Sequence, residues 1–335
     1  MEKYSYEIDV PVLLIFFNRP GCFGQVFEQV RKARPSKLFL YQDGARENNE
    51  KDKIGVEKCR EIASQIDWDC EVKTLYQEKN YGCDPSGYLA RKWAFSYVDS
   101  CIILEDDCVP CVSYFEFCRD LLERYAEDQR INMICGMNNL ETWDSPYSYL
   151  FTETGSICGV ATWRRVFDEW DTDYSLLSDS FNRRKLIELM KVSGKNTKSR
   201  LHRWDEDKRS GIEYHEALGG IAQYTGNRLN IVSTKNMIIN NGNTFEGGTH
   251  STNSNNTIPH GLRSIFTMKQ YEMDFPLKHP KYIINDVEYQ KKLFRLMGWG
   301  HPFITLFRRI EKSLLIIRYE GVSSLVQTIQ KKLRR

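Results

Sequence analysis

Three consecutive carboxylates, Glu105, Asp106 and Asp107, directly follow the apolar residues 101–104. Those apolar residues have the composition of a buried strand, so the acidic side chains are expected at its carboxyl end. Three adjacent carboxylates repel one another unless a cation neutralises them, and Mg²⁺ and Mn²⁺ prefer such oxygen ligands. The ion could also bind a diphosphate and neutralise it as it departs. The alternative is an acidic loop that caps the next helix, because Asp and Glu favour helix starts.

The segments before this cluster alternate between strand and helix patterns. Strands are predicted at 10–18, from 37 to the Asp43-Gly44 turn, and near 70–76, and helices at 23–33, near 52–66 and near 85–98. This alternation predicts a doubly wound parallel sheet, in which ligands bind at the carboxyl ends of the strands.

The second half of the chain is less regular. A helix is predicted around 112–126, a strand at 131–135 and a helix near 213–224, whereas the charged stretch 178–210 is interpreted as a mobile insertion. The residues from 230 to 256 are rich in Asn, Gly and Thr, which is typical of a long loop, and long loops are usually functional or disordered.

Four sequence blocks resemble those of a known group of enzymes. They are PVLLIFFNRP at 11–20, LYQDG at 40–44, KNYG at 79–82 and ILEDDCVPCVSYFEFC at 103–118. In this order they resemble glycosyltransferases of the GT-A fold, in which an acidic D-x-D or E-D-D motif ends a sheet strand and holds a metal and a nucleotide. Two groups are similar: bacterial sugar transferases of cell-surface polysaccharide pathways, and the eukaryotic N-acetylglucosaminyltransferase that starts complex N-glycan branching. The resemblance covers residues 10 to about 256 and implies an α/β, Rossmann-like fold whose mostly parallel sheet is flanked by helices.

The resemblance also implies roles for individual residues. Arg19 matches the position that reaches the nucleotide diphosphate, and a guanidinium suits phosphate. Asp43 matches the position that accepts a hydrogen bond from the base. Asp106 and Asp107 match the ribose-side and metal-binding carboxylates, with Mn²⁺ or Mg²⁺ as the metal, and Glu105 contacts the donor sugar or orients its neighbours. Without the family match, Arg19 could equally form a surface salt bridge and Asp43 could equally be a turn residue.

An inverting transfer needs a base that deprotonates the acceptor hydroxyl as it attacks the anomeric carbon. GIEYH at 211–215 resembles the W-D-Y-Q block of the bacterial relatives, and Glu213 occupies its acidic position. The match departs from the block at two positions, with Ile for Trp and Glu for Asp. Asp205, in RWDE at 203–206, is the rival, because tryptophan-aspartate also resembles the catalytic block of the eukaryotic enzyme. For both residues the alternative is an exposed helix carboxylate.

Two further segments match family features. NNGNTFEGGTH at 240–250 resembles the N-x-G-x-x-x-x-A-T-H-T segment near the donor, and its glycines would permit closure over the nucleotide. His250 is expected to contact the diphosphate or complete the metal shell, the alternative being an exposed loop imidazole. GSICG at 155–159, followed by Trp163, resembles the acceptor-side turn, and packing of Trp163 in the core is the alternative.

Residues 300–335 carry eight Lys or Arg against two Glu, a net charge of +6, whereas the preceding residues sum to about −4. Phe303, Phe307, Ile310, Leu314 and Ile317 recur at helical spacing, which predicts a basic amphipathic segment able to lie on an anionic membrane surface. The alternative is a helix docked on the domain with its charges solvated. The predicted organisation is a catalytic domain at 1–265, with a nucleotide-binding half at 1–120 and an acceptor half at 121–265, and a C-terminal extension at 266–335 with basic amphipathic helices.

Length and composition exclude several classes of protein. With 335 residues, of which 41% are hydrophobic and 27% charged, the chain can bury a sizeable core, which excludes disorder and a disulfide-stapled miniprotein. A net charge of +2 argues against nucleic-acid binding by the whole surface. No apolar run approaches the roughly 18 residues that cross a bilayer, and the first residues lack a signal-peptide pattern, so a cytoplasmic location is expected. The ten Cys, irregularly spaced, are expected to be reduced thiols.

The expected function is a metal-dependent, inverting glycosyltransferase. It would transfer a sugar from a nucleotide-diphosphate donor, uridine-based by resemblance, to a glycan or lipid-linked acceptor in surface polysaccharide biosynthesis. A sugar-1-phosphate nucleotidyltransferase would share the sheet, but residues 18–21 lack the Gly-rich phosphate loop that normally follows its first strand. The other alternative, a noncatalytic membrane-surface adaptor, is disfavoured by the three carboxylates.

Overall fold

The computed structural model describes residues 5, 7–192, 197–242 and 255–333. The strands are β1 (Ile8–Phe16), β2 (Pro35–Gln42), β3 (Glu71–Tyr76), β4 (Ser100–Glu105), β5 (Cys108–Pro110), β6 (Ile131–Cys135), β7 (Tyr149–Thr152), β8 (Val160–Trp163), β9 (Leu229–Ser233) and β10 (Ile238–Asn240). The helices are α1 (Pro20–Ala33), α2 (Glu50–Ala63), α3 (Cys83–Phe95), α4 (Ser113–Arg124), α5 (Arg164–Phe167), α6 (Ser175–Ser178), α7 (Ser180–Val192), α8 (Thr197–Ser210), α9 (His215–Thr225), α10 (His260–Thr267), α11 (Val287–Met297), α12 (Pro302–Glu320) and α13 (Val322–Leu333), with a 3₁₀ turn at Asn255–Thr257. The alternation predicted up to β4 is present, with boundaries shifted by a few residues.

Eight strands form one sheet in the order β3-β2-β1-β4-β8-β6-β9-β7. The first four pair in parallel, as do β6 and β9, whereas β8 and β7 run antiparallel to their neighbours. A second, two-stranded sheet pairs β5 with β10 antiparallel. The predicted α/β class, with a mostly parallel sheet flanked by helices and followed by C-terminal helices, is confirmed.

Helices cover both faces of the sheet, and β1 is apolar on both sides. Val12 and Leu14 pack in one cluster with Phe23 of α1. Leu13, between them in sequence, points to the other face and packs in a second cluster with Ala90 of α3. The continuous apolar run of β1 is therefore explained by burial on both faces, as in other parallel sheets.

The interpretation of residues 178–210 as a mobile insertion needs correction. They contain α7 and α8, whose apolar side chains form a third buried cluster with α9. Leu186 of α7 and Leu201 and Trp204 of α8 are buried in this cluster with Leu218 of α9. The apolar residues recur at helical spacing but are outnumbered by charged ones, so composition alone obscured the buried side.

The Asn-, Gly- and Thr-rich stretch from 230 is not wholly a loop, since it begins with β9 and β10. Its residues 243–254, which include His250, lie outside the described residues. Beyond it, Tyr289 and Leu293 of α11 belong to the second buried cluster, so the 266–335 segment contributes to the core of the sheet. The domain division at 265 stays a prediction. Among the described residues, no helix has both the length and the apolar character needed to cross a bilayer.

Candidate functional site

Polar residues at the carboxyl ends of two neighbouring strands of the large sheet lie close together. β1 and β4 lie side by side in parallel, with Ile15 opposite Glu105. The strand order reverses between them, because β2 and β3 lie beyond β1 whereas later strands lie beyond β4. In open α/β sheets such a reversal leaves a crevice outside the carboxyl ends of the strands, where ligands bind. Arg19, which follows β1, and the acidic residues at the end of β4 border this position.

Arg19 contacts two of the three carboxylates. Its Nε lies 3.3 Å from Oδ2 of Asp106, and its Nη2 donates to Oδ1 of Asp106 and lies 3.1 Å from Oδ2 of Asp107. The backbone N–H of Phe17 also donates to Asp106, at 3.4 Å. Burial raises the pKa of Asp106, and the nearby Arg19 opposes that shift. Arg19 therefore helps to hold the acidic residues in place, and its contact with a diphosphate stays a prediction.

Glu105, Asp107 and Cys108 form a group that could hold a metal ion. One carboxylate oxygen of each acid and the Cys108 sulfur all lie within 4.8 Å of one another. Two ligands of one divalent cation, at bond lengths of about 2.0–2.4 Å, stand at most about 4.8 Å apart and most pairs stand closer, so small side-chain movements would complete the set. The two carboxylates fit a hard divalent cation such as Mn²⁺ or Mg²⁺, whereas the Cys108 sulfur suits softer metals. The sequence pointed to Asp107 alone as its ligand, and the structure adds Glu105 and Cys108 as neighbours.

The small second sheet brings the start of the Asn- and Gly-rich segment to Asp107. Asn240 pairs with Cys108 in the β10–β5 ladder, and its side-chain amide donates to Oδ1 of Asp107 at 3.2 Å. The backbone N–H of Asn241 donates to the Asp107 carbonyl at 2.9 Å. A Cβ placed on Gly242 would stand 2.5 Å from Oδ2 of Asp107, so a larger residue at this point of the chain would displace the carboxylate. Residues 240–242 therefore lie against the candidate metal ligand.

Asp43 lies after β2, and its backbone N–H donates to the carbonyl of Phe16 at the end of β1. Its carboxylate is buried and accepts from the backbone N–H groups of Gly44, Tyr81 and Gly82 at 2.8–3.0 Å and from the Asn80 side chain at 2.8 Å. Burial raises the pKa of Asp43, while these backbone donors lower it. A carboxylate offers about four acceptor positions, so a base would have to share or replace one of these donors. Its contact with the base stays a prediction.

Two buried polar residues that the sequence patterns did not single out, His215 and Arg91, lie near Glu105. His215, the first residue of α9, is buried, with Nε2 3.9 Å from Glu105 and Nδ1 3.7 Å from Asp84. Neither ring nitrogen makes a hydrogen bond of normal geometry to a described residue. Arg91 is buried in α3 and donates to the Gly87 carbonyl at 2.7 Å. The sequence pointed to His215 only through its position in the GIEYH block.

The electrostatics of this group follow from burial. Removal from water raises the pKa of Glu105 to about 7; Arg91 opposes the shift, and Asp107 and Asp106 add to it. This occurs although 30% of the Glu105 side chain remains exposed. Burial, with a smaller effect of Arg91, lowers the pKa of His215 to about 3, so this imidazole is neutral at pH 7.

The two candidate bases have different surroundings. Glu213 is half-buried in the turn that leads into α9, two residues before His215. Asp205, on α8, receives two hydrogen bonds from Arg183 of α7, at 2.6 and 2.7 Å. This contact with Arg183 holds the pKa of Asp205 below its usual value. Asp205 thus joins two helices, whereas Glu213 leads into the helix end that faces Glu105.

Trp163 lies in the core rather than on an acceptor surface. It is buried at the end of β8, and its indole N–H donates to the Leu122 carbonyl at 3.1 Å. The GSICG turn nevertheless adjoins the site, because Cys158 lies 3.7 Å from the side-chain nitrogen of Asn240.

No family model matches the chain, and no curated protein matches it. Among solved structures, it is similar to a UDP-glucose pyrophosphorylase complexed with UDP-glucose, at a TM-score of 0.27 and 10% identity over 48% of this chain and 78% of the other. It is also similar to A197 from STIV, at a TM-score of 0.28 and 10% identity over 48% of this chain and 69% of the other. At these values neither likeness assigns a family or an activity.

Proposed function

We propose that the chain is a divalent-cation-dependent glycosyltransferase that uses a nucleotide-diphosphate sugar. The nucleoside of the donor would be uridine. The observation that carries the proposal is the contact of Arg19 with Asp106 and Asp107, beside Glu105, at the point where the strand order reverses. A crevice bordered by a guanidinium and a cation-binding group suits a diphosphate. The sequence blocks that resemble GT-A glycosyltransferases lie on the same strand ends.

Each of these residues would have a distinct task. Asp107, with Glu105 and Cys108 beside it, would hold Mn²⁺ or Mg²⁺, which supplies charge neutralisation for the departing nucleotide diphosphate. Asp106 would lie on the ribose side and Asp43 beside the base. Glu105 would face the donor sugar. His215 and Arg91, packed around Glu105, would position its carboxylate.

Glu213 is the proposed base in an inverting transfer. A general base needs a free acceptor oxygen and a pKa that is not depressed. Asp205 has both oxygens bonded to Arg183, which lowers its pKa, and this favours Glu213 over Asp205. His250 would contact the diphosphate or the metal.

The proposed acceptor is a glycan or a sugar carried on a lipid, in assembly of a cell-surface polysaccharide. A lipid-linked acceptor would place the enzyme in the cytoplasm at the inner face of the cell membrane. Residues 300–335 are the segment proposed to contact that membrane.

Calorimetric titration of UDP in the presence and absence of Mn²⁺ tests the nucleotide and metal parts of the proposal. Wild type should bind UDP with Mn²⁺, and Asp107→Ala should lose that metal-dependent binding. Asp69→Ala, at an exposed aspartate far along the chain from the acidic residues, is the matched control and should bind as wild type does. Absence of UDP binding in wild type with Mn²⁺ would overturn the proposal.

Sugar transfer itself is tested by incubating the enzyme with UDP-sugars and candidate acceptors. Glu213→Gln should keep UDP binding and lose transfer by a factor of about 10²–10⁴, whereas Asp205→Asn should keep measurable transfer. The opposite pattern would assign the base to Asp205. Formation of UTP from a UDP-sugar and pyrophosphate, with no transfer, would identify a nucleotidyltransferase instead.

A further inference from the structure

The helix α12 exposes its apolar side to solvent. Phe303, Phe307 and Leu314 have 85%, 69% and 61% of their surfaces exposed. Leu306, Ile310 and Ile317 are exposed on the same side. At 100° per residue these six side chains occupy one sector about 100° wide, which is the width of an apolar helix face that normally packs on a core. We call these six residues the α12 stripe.

The orientation of α12 is set by contacts on its other side. Leu315 and Ile316 are buried, and the Thr305 hydroxyl donates to the Gly298 carbonyl at 3.0 Å. Glu311 accepts a hydrogen bond from the backbone N–H of His260 at 3.0 Å. The helix is thus docked on the rest of the chain through one side, while its apolar stripe faces outward. The sequence allowed a docked helix that presents its charges to water; α12 is docked, and its outer side exposes the stripe as well as Arg309 and Arg318.

The next helix extends the same apolar character. Val322, Val326 and Ile329 of α13 recur at positions i, i+4 and i+7 and are all exposed. Because α12 and α13 also contact each other, the two helices offer apolar surface over most of residues 302–329. Monomeric proteins rarely expose apolar surface of this extent unless it meets a partner or a membrane.

Positive charge flanks the stripe. Arg309 and Arg318 are exposed and lie on opposite sides of the stripe at 100° per residue. Of the two acidic residues in 300–335, Glu311 is engaged by His260, and the net charge of this segment is +6. An apolar helix face with cationic flanks is the pattern of a helix that lies in the interface of an anionic bilayer.

We infer that α12 and α13 form a membrane-docking surface whose partner is an anionic lipid bilayer. The stripe would enter the boundary between headgroups and acyl chains, with Arg309 and Arg318 at the level of the lipid phosphates. A second copy of this chain fits less well, because joining two such surfaces would bring two segments of +6 together. The inference specifies the membrane contact proposed above for residues 300–335 and rests on that part of the proposed function, but it does not depend on the transferase activity.

Vesicle flotation of the full chain tests the inference. Phosphatidylcholine vesicles and vesicles that also contain phosphatidylglycerol are compared, without nucleotide or metal. The chain should float with the anionic vesicles and stay behind with the neutral ones, and added salt should weaken the binding. Absence of binding to anionic vesicles, or equal binding to both kinds, would overturn the inference.

Three variants test whether the vesicles bind to the stripe or to any exposed apolar residue. Phe303→Ser with Phe307→Ser should reduce the vesicle partition coefficient about tenfold or more, since two exposed aromatic side chains are removed from the bilayer contact. Arg309→Glu with Arg318→Glu should abolish the preference for anionic lipid. Ile54→Ser, at an exposed apolar residue of α2, is the matched control and should bind as wild type does.

The altered residues are exposed and not part of the core, so all variants should retain their helices. Circular dichroism checks this. Sedimentation velocity of wild type without lipid tests the rival partner. A dimer that the Phe303 and Phe307 changes dissociate, together with unchanged vesicle binding in that variant, would assign the stripe to self-association and refute the membrane surface. Failure of UDP binding would leave the vesicle result unaffected, so the two proposals can fail separately.

Discussion

Replacing Asp43 with asparagine tests what this buried carboxylate contributes to the strand ends. In the structure Oδ1 accepts from the N–H groups of Gly44 and Tyr81, and Oδ2 accepts from the N–H of Gly82 and the side chain of Asn80. Asparagine has nearly the same shape but replaces one oxygen with an NH₂ group. Whichever way the amide turns, two donors then face another donor, and two hydrogen bonds are lost.

The magnitude follows from those two bonds. Each donor left without its acceptor costs about 1–3 kcal/mol when fully buried, and the lower end applies here because Tyr81 is partly exposed and the Gly44 N–H also donates to the Lys79 carbonyl at 3.3 Å. The loss is partly offset, since burial raises the pKa of Asp43 and the asparagine no longer carries a buried charge. We expect the free energy of unfolding to fall by about 2 kcal/mol and the melting temperature to fall by about 3 °C.

Urea unfolding followed by circular dichroism measures this change. Asp69→Asn is the matched control, because Asp69 is exposed and should change the free energy of unfolding by less than about 0.5 kcal/mol. Equal stability of the two variants would refute the reasoning, since it would mean that the four donors find water or other acceptors without cost. A loss above about 5 kcal/mol would also contradict it, because two partly buried hydrogen bonds cannot account for so much.

Two further predictions concern buried residues near the site. Burial raises the pKa of Asp207 to about 6, so the folded state binds an extra proton between about pH 4 and 6 and its stability falls as the pH rises through that range. Asp207→Asn should therefore stabilise the protein above pH 6 by up to about 3 kcal/mol and by little below pH 4, and thermal unfolding measures this; a difference that stayed the same across that pH range would contradict the reasoning. Gly87→Ala should destabilise the fold by about 1–3 kcal/mol, because its Cβ would stand 2.5 Å from Nδ1 of the buried His215 ring. Gly24→Ala in α1, whose Cβ would meet only Ile62 at 3.7 Å, should instead stabilise by about 0.5–1 kcal/mol, and urea unfolding that ranks the two variants the other way would contradict this packing.

The sequence predicts those strands and helices whose form depends on the residues within the element itself. β1 is apolar on both faces and is followed by a turn and a periodic helix, so its position could be predicted from the sequence. The partners of Arg183 and His215 could not be predicted in this way. Arg183 meets Asp205 only because α7 packs on α8, and His215 comes within 3.9 Å of Glu105 only because α9 packs on α3, which in turn packs on β4. Such pairs depend on tertiary contacts, which no periodicity in one segment records.

Arg19 shows how two roles that the sequence left open can belong to one side chain. A guanidinium has five N–H donors in a rigid plane, and here Nε and Nη2 are directed at Asp106 and Asp107. No described residue accepts a hydrogen bond from Nη1, and in the proposed function its two N–H groups would bind the diphosphate. A lysine could not do both, because its ammonium is a single point of charge with three donors on a flexible stem. The salt bridge therefore favours the phosphate contact, since it fixes the plane of the guanidinium before a diphosphate arrives and lowers the entropy lost on binding.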